Sequence, residues 1–293
     1  MKMKPVIPTY AFLTSMNGDY FGALEKVASI GYQYIELLSM NYPAGKRFDE
    51  LYTAKETREK MRQVGITPLT VHEQLQQKRL FDIDWNPIMD YYQELGCLRF
   101  VQPNIWISTE DEAKAWAEYY EKLGEIMHQR GLQLYLHTHH LEWRRLPDGR
   151  SLVDIIRENT APEHLKFEVD VCWGLRGGID PVAEIKKMGP RCDIIHMKDI
   201  MPGYDEETNL FDIMRRENKM EDRDLLSFIQ QHGRGQEFFT IMGTGCFDIP
   251  GTLKQLCALN HVQYVVAESE EKSNIQFKIA RMEYNYLTRH MPE

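Results

Sequence analysis

The chain has 293 residues, of which 43% are hydrophobic and 11% aromatic, enough for one large α/β domain or two ordinary ones. Its formal net charge of −9 argues against a nucleic-acid-binding protein, because neutralising phosphates requires an excess of Lys and Arg on at least one face. No signal peptide and no apolar run near the roughly 18 residues of a membrane span are evident, so we expect a soluble, cytoplasmic protein. The five cysteines are scattered and form no CxxC pair, which is typical of free thiols in a reducing compartment.

A unit of amphipathic helix, glycine and short apolar run recurs through the first half of the chain. It appears as GYQYIEL at Gly31, GITPLTV at Gly65, GCLRFVQ at Gly96 and GLQLYLH at Gly131. Glycine is expected there because a helix that stops and turns into a strand favours a positive φ at its C-terminal cap. The polar residues that predict helix starts are Asp19, the boxes Thr53-x-x-Glu56 and Thr109-x-x-Glu112, Asp84, and Asp180 followed by Pro181.

Eight short apolar runs predict strands, which lie near residues 6–12, 34–38, 67–72, 98–102, 133–137, 165–169, 193–197 and 264–268. The runs are continuous rather than alternating, which favours parallel strands buried on both faces. Eight such strands with helices between them predict a TIM barrel, a single (β/α)8 domain over residues 1–293. An open doubly wound sheet is the structural alternative. It would have a Gly-rich phosphate turn after its first strand, and PTYAFLTSMNGD contains none.

Residues 200–247 interrupt this alternation of strands and helices after the seventh strand. The segment contains the polar stretch PGYDEETN, the helix-like DRDLLSFIQQ and the stretch EFFTIMGTGCFD, in which residues 238–242 could form an extra strand. Loops that follow barrel strands build active sites at the C-terminal face. A lid over the site and an inert excursion are both consistent with this insertion.

Ionisable residues end most of the predicted strands: Glu36, His72, Glu73, His137, His139, His140, Glu142, Asp170, His196, Lys198, Glu268 and Glu270. Several acids at one barrel mouth would repel one another, and burying each charge costs on the order of several kcal/mol unless it is paired or bound to a cation. We therefore predict one divalent metal ion, with Glu142, Asp170, His196 and Glu268 as ligands. Carboxylates with one imidazole and no thiolate suit Mn²⁺, Mg²⁺, Co²⁺ or Zn²⁺. Four protein ligands leave positions for two neighbouring oxygens of a sugar or polyhydroxy ketone.

Simpler roles for the same residues stay open at this point. Asp170 could be only a helix N-cap, His196 could bond a backbone carbonyl, and Glu268 could pair with an arginine. Trp173 could pack against a sugar ring or form part of the wall of the barrel mouth. Lys198 could bind substrate or pair with a ligand carboxylate. The predicted substrate-binding residues are His72, His137, His139, Trp173 and Lys198.

Five segments in order resemble the motifs of the sugar phosphate isomerase/epimerase family. HTHHLEW, FEVDVCWGLRGGIDP, IIHMKD, MGTGCFD and VVAESE are similar to HNHxxEF, DxxWxxxxGxDP, HxKD, GxGxxD and a final-strand ExD. This is the xylose-isomerase-like TIM barrel group that includes inosose dehydratases and is related to the AP endonuclease family 2 superfamily. The motifs cover roughly residues 130 to 270, and strand order extends the resemblance to the whole chain.

By position, the resemblance implies the same four metal ligands as the strand-end pattern. Two positions depart from the family motifs: Thr138 replaces an asparagine, and Glu270 stands where aspartate is common. Some relatives place the first ligand on the fifth strand itself, where this chain has His137, so His137 or His139 could take a ligand or proton-transfer role.

The reaction implied is proton transfer beside a carbonyl, through an enediolate that the metal stabilises. Glu142 and Glu268 are the predicted catalytic pair, one removing a proton and the other returning one. We interpret the chain first as a sugar or keto-polyol isomerase/epimerase and second as a dehydratase of inosose or keto-sugar type, because these reactions share their first step.

Two other classes of protein are alternatives to this enzyme. A non-catalytic sugar-binding barrel would keep the fold without the chemistry. An abasic-site endonuclease is disfavoured by the charge of −9. The expected partner is a small-molecule sugar or polyol, with no nucleic acid and no membrane, and a homo-oligomer is left open.

Overall fold

Eight parallel strands close into a barrel in the computed structural model, which describes residues 2–73, 83–103, 105–204, 208–218, 235–269 and 275–292. The strands are β1 Lys4–Pro8, β2 Tyr34–Leu38, β3 Thr67–His72, β4 Arg99–Pro103, β5 Gln133–Thr138, β6 Leu165–Asp170, β7 Ile194–Met197 and β8 Tyr264–Ala267. They pair in chain order, and β8 closes on β1 through the register Lys4 with Tyr264. The predicted TIM barrel and its strand count are confirmed. The first strand ends earlier than predicted, because residues 9–12 form a 3₁₀ turn rather than strand, and the other seven agree with their predicted bounds to within one residue.

Eight helices connect and cover the strands: α1 Tyr20–Ile30, α2 Ala54–Val64, α3 Asn86–Leu95, α4 Glu110–Gln129, α5 Leu152–Glu158, α6 Pro181–Met188, α7 Ile249–Ala258 and α8 Gln276–His290. Four predicted N-caps accept a backbone N–H as expected, namely Asp19, Thr53, Thr109 and Asp180. The N-cap of α3 is instead Trp85, although the Asp84 carboxylate accepts the N–H of Asn86. No helix in the described ranges is both long and apolar enough to cross a membrane.

The recurring glycines have the backbone conformation that the pattern predicts. Gly31, Gly65, Gly96 and Gly131 have φ values of 123°, 77°, 94° and 73°. A residue with a Cβ is strained in this region, so glycine lets each helix end and the next strand begin within two or three residues.

Several short elements lie in the connections between the eight strands and the eight helices. They are the helices Leu13–Gly18, Phe48–Leu51, Val171–Arg176, Leu210–Arg216 and Gly235–Phe238, the 3₁₀ helices Leu141–Trp143 and Gly189–Arg191, and the ladders Met40–Asn41 with Lys46–Arg47 and Asp199–Ile200 with Phe239–Thr240. The last ladder places an extra strand inside the predicted 238–242 segment, but only two residues long. Residues 205–207 and 219–234 of the insertion, and Glu270, lie outside the described residues.

The barrel interior changes character along the strands. An apolar layer contains Val6, Leu69, Val101, Tyr135, Ile194, Tyr264 and Val266. Inward-facing residues recur every second position, so the next step along β5 leads from Tyr135 to His137, and along β7 from Ile194 to His196. The polar layer therefore lies between the apolar layer and the C-terminal mouth, where TIM barrels carry their active sites.

Candidate metal centre

Three predicted ligands meet at the C-terminal mouth. Asp170 ends β6 and is paired in register with His196 on β7, which in turn is paired with Val266 on β8. Glu268 follows β8 two residues after Val266, so it rises to the same mouth. Each of Asp170, His196 and Glu268 offers one ligand atom, and these atoms lie within 4.8 Å of one another.

Lys198 lies against both carboxylates of this group. Its Nζ is 2.6 Å from Glu268 Oε2 and 3.2 Å from Asp170 Oδ2, and His196 Nδ1 is 2.7 Å from the same oxygen of Glu268. Burial alone would raise the pKa of Glu268, but Lys198 and His196 outweigh burial and hold that pKa well below its usual range. At Asp170 burial prevails over the same two cations, and its pKa is raised.

Buried polar atoms without hydrogen bonds indicate that a cation fits here. Asp170 Oδ2, which is ion-paired with Lys198 Nζ at 3.2 Å, and His196 Nε2 make no hydrogen bond within the described part of the chain. Leaving such atoms unsatisfied costs about 1–3 kcal/mol each, and more for charged groups. Two carboxylates and an imidazole form a donor set that Mn²⁺, Co²⁺ or Zn²⁺ accepts. Asp170, His196 and Glu268 are therefore suited to hold a divalent ion.

A second polar group lies beside the first and includes His72, His137, Glu168 and His196. Glu168 Oε1 is 2.9 Å from His72 Nε2, 2.9 Å from His137 Nδ1 and 3.0 Å from His196 Nε2. Glu36 Oε1 joins them at 3.2 Å from His72 Nε2 and 3.1 Å from His196 Nε2. The structure thus places two of the predicted substrate residues, His72 and His137, among buried carboxylates.

The charges of this second group are set by competition between burial and pairing. Burial would lower the pKa of His72, but Glu36 and Glu168 outweigh it and raise that pKa to about 9. The same carboxylates raise the pKa of His196 well above its usual value in spite of burial. Burial and the neighbouring His196 hold the pKa of His137 well below its usual range. His137 is therefore the neutral imidazole of the group.

Glu168 was not among the predicted site residues, although a signal for it exists in the sequence. It lies two residues before Asp170 in LKFEVD, and on a strand residues i and i+2 face the same side. An acid two residues before Asp170 on a buried strand therefore points into the barrel interior together with Asp170. Glu168 is fully buried, as this position implies.

The structure does not bring Glu142, the fourth predicted ligand, to either group among the residues it describes. Glu142 lies in the 3₁₀ helix Leu141–Trp143 that follows β5. Its carboxylate accepts the N–H of Ile105 at 3.0 Å and of His139 at 3.1 Å. Burial raises the pKa of Glu142 to about 7. Because the 3₁₀ turn directs the carboxylate to the loop after β4, three of the four predicted ligands share one centre.

Aromatic rings form one wall of the mouth. Trp173 stacks on His140 with ring centroids 4.8 Å apart, and meets Phe239 edge-on at 4.8 Å. His139 lies between His137 and Trp173, at centroid distances of 4.5 and 5.6 Å. Trp173 is only 6% exposed, so most of its surface packs within this wall rather than forming an open platform.

Asp199 fixes the segment that returns from the insertion. Its carboxylate accepts the backbone N–H groups of Ile200, Gly243, Gly245 and Phe247 at 2.8 to 3.1 Å. A Cβ on Gly245 would collide with the carbonyl oxygen of Ile200 and with the Asp199 side chain, which explains the glycine in MGTGCFD. The aspartate next to Lys198 therefore ties this loop to the end of β7.

Comparisons with known proteins agree with this architecture. The family model described as xylose isomerase-like TIM barrel matches residues 24–289. An inosose dehydratase of Klebsiella pneumoniae is 27% identical over 166 residues, which cover 56% of this chain and 49% of that protein. The chain thus spans about half the length of the curated relatives it matches.

Two solved structures share the fold over nearly the whole chain. A sugar phosphate isomerase/epimerase from Parabacteroides distasonis superimposes with a TM-score of 0.73 at 22% identity, covering 98% of this chain and 94% of that one. The IOLI protein with a bound zinc atom superimposes with a TM-score of 0.70 at 15% identity, covering 99% and 100%. At these identities the likeness establishes the fold.

Proposed function

Because the chain belongs to the xylose isomerase-like TIM barrel family, we propose that it is a divalent-metal-dependent enzyme that moves a proton beside the carbonyl of a small sugar or keto-polyol. The observation that carries this proposal is the convergence of Asp170, His196 and Glu268 at the barrel mouth, with a buried oxygen of Asp170 that makes no hydrogen bond in the described residues. When bound there, a divalent ion supplies Lewis acidity, which makes the C–H beside a carbonyl easier to deprotonate.

Glu268 is the proposed proton acceptor. Its side chain is 13% exposed, whereas those of Asp170 and His196 are almost fully buried, so Glu268 is the member of the group that a substrate can reach. Lys198 Nζ, 2.6 Å from Glu268 Oε2, orients that carboxylate, and because the Lys198 side chain is as buried as Asp170 and His196 we assign it a positioning role. Asp170 and His196 take the part of ligands.

The second proton carrier is proposed to be His139. Its side chain is only partly buried, and its Nδ1 makes no hydrogen bond in the ranges described. Glu142 was the sequence-based candidate for this role, but both of its oxygens accept backbone N–H groups. We assign Glu142 the task of holding the loop after β4 against the turn after β5, which shapes the mouth.

Isomerisation or epimerisation is the first form of the reaction, and dehydration is the second. The observation that supports dehydration is that the curated relatives are named inosose dehydratases. Both begin with the same proton abstraction and differ in whether the proton returns to carbon or a β-hydroxyl leaves.

A direct test is incubation of the purified chain with Mn²⁺ and a panel of keto-sugars and inososes in D₂O. We expect deuterium to enter the carbon beside the carbonyl, detected by NMR, and expect chelation to stop it. Glu268→Gln should abolish exchange while the circular dichroism spectrum is unchanged. The product identifies the reaction: an epimer, an aldose–ketose pair, or a compound that has lost water.

Two results would contradict the proposal. Sugar binding without exchange across the panel would support a non-catalytic sugar-binding barrel. Full exchange by the metal-free protein would remove the divalent ion from the reaction.

A further inference from the structure

The second polar group lies within the barrel and shares only His196 with the candidate centre at the mouth. We propose that this second group is a distinct divalent cation site, formed by Glu36, His72, His137 and Glu168, with His196 facing both sites. The inference concerns metal content and does not depend on which reaction the chain catalyses.

The spacing of the donor atoms supports this site. Three imidazole nitrogens, one each from His72, His137 and His196, lie 2.9 to 3.0 Å from Glu168 Oε1. Glu36 Oε1 is 3.1 to 3.2 Å from two of the same nitrogens. Metal–ligand bonds of about 2.0–2.2 Å put neighbouring ligand atoms roughly 3 Å apart, so this cluster has the dimensions of one coordination shell.

Hydrogen bonding does not account for all of these contacts. His196 Nε2 makes no hydrogen bond in the described part of the chain, although oxygens of Glu36 and Glu168 lie within 3.1 Å of it. Glu168 Oε2, on a fully buried side chain, likewise makes none among these residues. Buried polar atoms without hydrogen bonds require another partner, and a cation at the centre of the cluster provides one for His196 Nε2.

The charge of the group matches a dication. Glu36 and Glu168 contribute two negative charges. An ion bound by His72, His137 and His196 displaces any proton on the coordinating nitrogens and leaves three neutral imidazoles, so one divalent ion makes the cluster neutral. Three nitrogen and two oxygen donors suit Zn²⁺, Co²⁺ or Mn²⁺ better than Mg²⁺, which prefers oxygen and keeps its waters.

The orientation of two residues favours paired sites. Thr70 Oγ1 donates to Glu36 Oε2 at 2.9 Å, which leaves Glu36 Oε1 directed at His72 and His196. Such outer hydrogen bonds fix ligand carboxylates in metal sites. His196 presents Nδ1 to Glu268 and Nε2 to the deeper group, so each ring nitrogen faces one site.

Metal stoichiometry tests the inference. The full chain is stripped with a chelator, reloaded with Zn²⁺, passed through gel filtration and analysed by mass spectrometry for zinc per chain. We expect two ions in the parent protein, and one in both Glu168→Gln and His137→Gln. Glu268→Gln should also retain one ion, because it weakens the mouth site and leaves the deeper group intact. Glu163→Gln, on the exposed surface, is the matched control and should retain two.

One zinc per chain in the parent would overturn the proposal, as would two zinc ions that both persist in Glu168→Gln and His137→Gln. If these variants fail to fold, zinc anomalous diffraction from the parent decides the matter. We expect one peak between Asp170 and Glu268 and a second among His72, His137 and Glu168. Absence of the second peak refutes the deeper site.

The zinc measurement tests the deeper site and the D₂O exchange tests the proposed function, so the two proposals can fail independently. A single ion at the mouth together with proton exchange would leave the proposed function standing and remove the deeper site. Two ions without exchange on any sugar would do the reverse.

Discussion

Two successive layers of the barrel interior are built by the same strands and have opposite chemistry. The lower layer presents side chains such as Tyr135 and Ile194, and two residues further along the same strands the upper layer presents His137 and His196. Burial of the lower layer favours folding at about 25 cal/mol per Å² of apolar surface. The upper layer buries carboxylates that cost free energy unless they are paired or bound to a cation. A distance of two residues along a strand therefore separates the apolar layer, whose burial stabilises the protein, from the polar layer that we propose for metal binding and catalysis.

The largest effect is expected from neutralising a charge in the upper layer. Asp170→Asn keeps an oxygen that can accept the N–H of Trp173, which Asp170 Oδ1 accepts at 2.8 Å, so the helix cap is retained while the negative charge is lost. We expect turnover to fall about 10³-fold or more, because several kcal/mol of transition-state stabilisation go with the ion, and the melting temperature to change little. Steady-state kinetics and thermal unfolding measure the two effects.

The control for this variant is Asp180→Asn. Asp180 is also an aspartate N-cap, accepting the N–H of Ala183, but it is exposed and lies outside the candidate centre. Its activity should match the parent. Equal loss in both variants would mean that helix capping, rather than charge at the mouth, determines activity.

The lower layer should respond in the opposite way. Ile194→Ala removes a fully buried side chain and leaves a cavity, so we expect the free energy of unfolding to fall by about 2–5 kcal/mol. Turnover per folded molecule should stay within about twofold at a temperature where the variant is folded. Ile194→Val, which removes one methyl group, should cost only about 0.5–1.5 kcal/mol. A large activity loss in Ile194→Val at unchanged stability would show that the two layers are not separable.

A smaller effect concerns a buried carboxylate outside the barrel interior. Glu283 on α8 is 1% exposed, and burial raises its pKa to about 8 from 4.5. The folded state therefore holds a proton that the unfolded state releases, so the contribution of Glu283 to stability is most favourable below pH 4.5 and declines as the pH rises towards 8. Glu283→Gln should remove this part of the pH dependence and stabilise the protein at pH 8.5 by on the order of 2–4 kcal/mol.

Denaturant unfolding at pH 5 and pH 8.5 measures this difference between parent and variant. Glu59→Gln, at an exposed position on α2, should behave as the parent at both pH values. An identical decline of stability with pH in the parent and in Glu283→Gln would show that Glu283 is charged in the folded protein, with its cost met by contacts such as the backbone N–H of Met242.

Most of the fold could be predicted because its signals are local. Continuous apolar runs, N-cap residues and the glycines at positive φ each depend on a few neighbouring residues, and the structure agrees with them. Asp170, His196 and Glu268 were found together for a similar reason, since the C-terminal ends of parallel barrel strands meet at one mouth.

The rest of the site depends on geometry that the sequence pattern does not carry. Glu168 lies inside a run of apolar residues, and whether it faces inward is set by how its strand is aligned with its neighbours. Glu142 follows a strand closely enough to be expected at the mouth, but a 3₁₀ turn rotates it towards Ile105. Three residues of irregular backbone thus decided which acid joins the centre.

The hydrogen bonds that Asp199 accepts from the returning segment have a consequence for how this protein can change over evolution. The ladder of Asp199–Ile200 with Phe239–Thr240, and the four N–H groups bound by Asp199, fasten both the departure and the return of the insertion to the end of β7. Sequence between those two anchor points can be lengthened, shortened or exchanged while His196 and Lys198 keep their positions. The insertion is therefore able to change in descendants of this chain without displacing the side chains that we propose for metal binding.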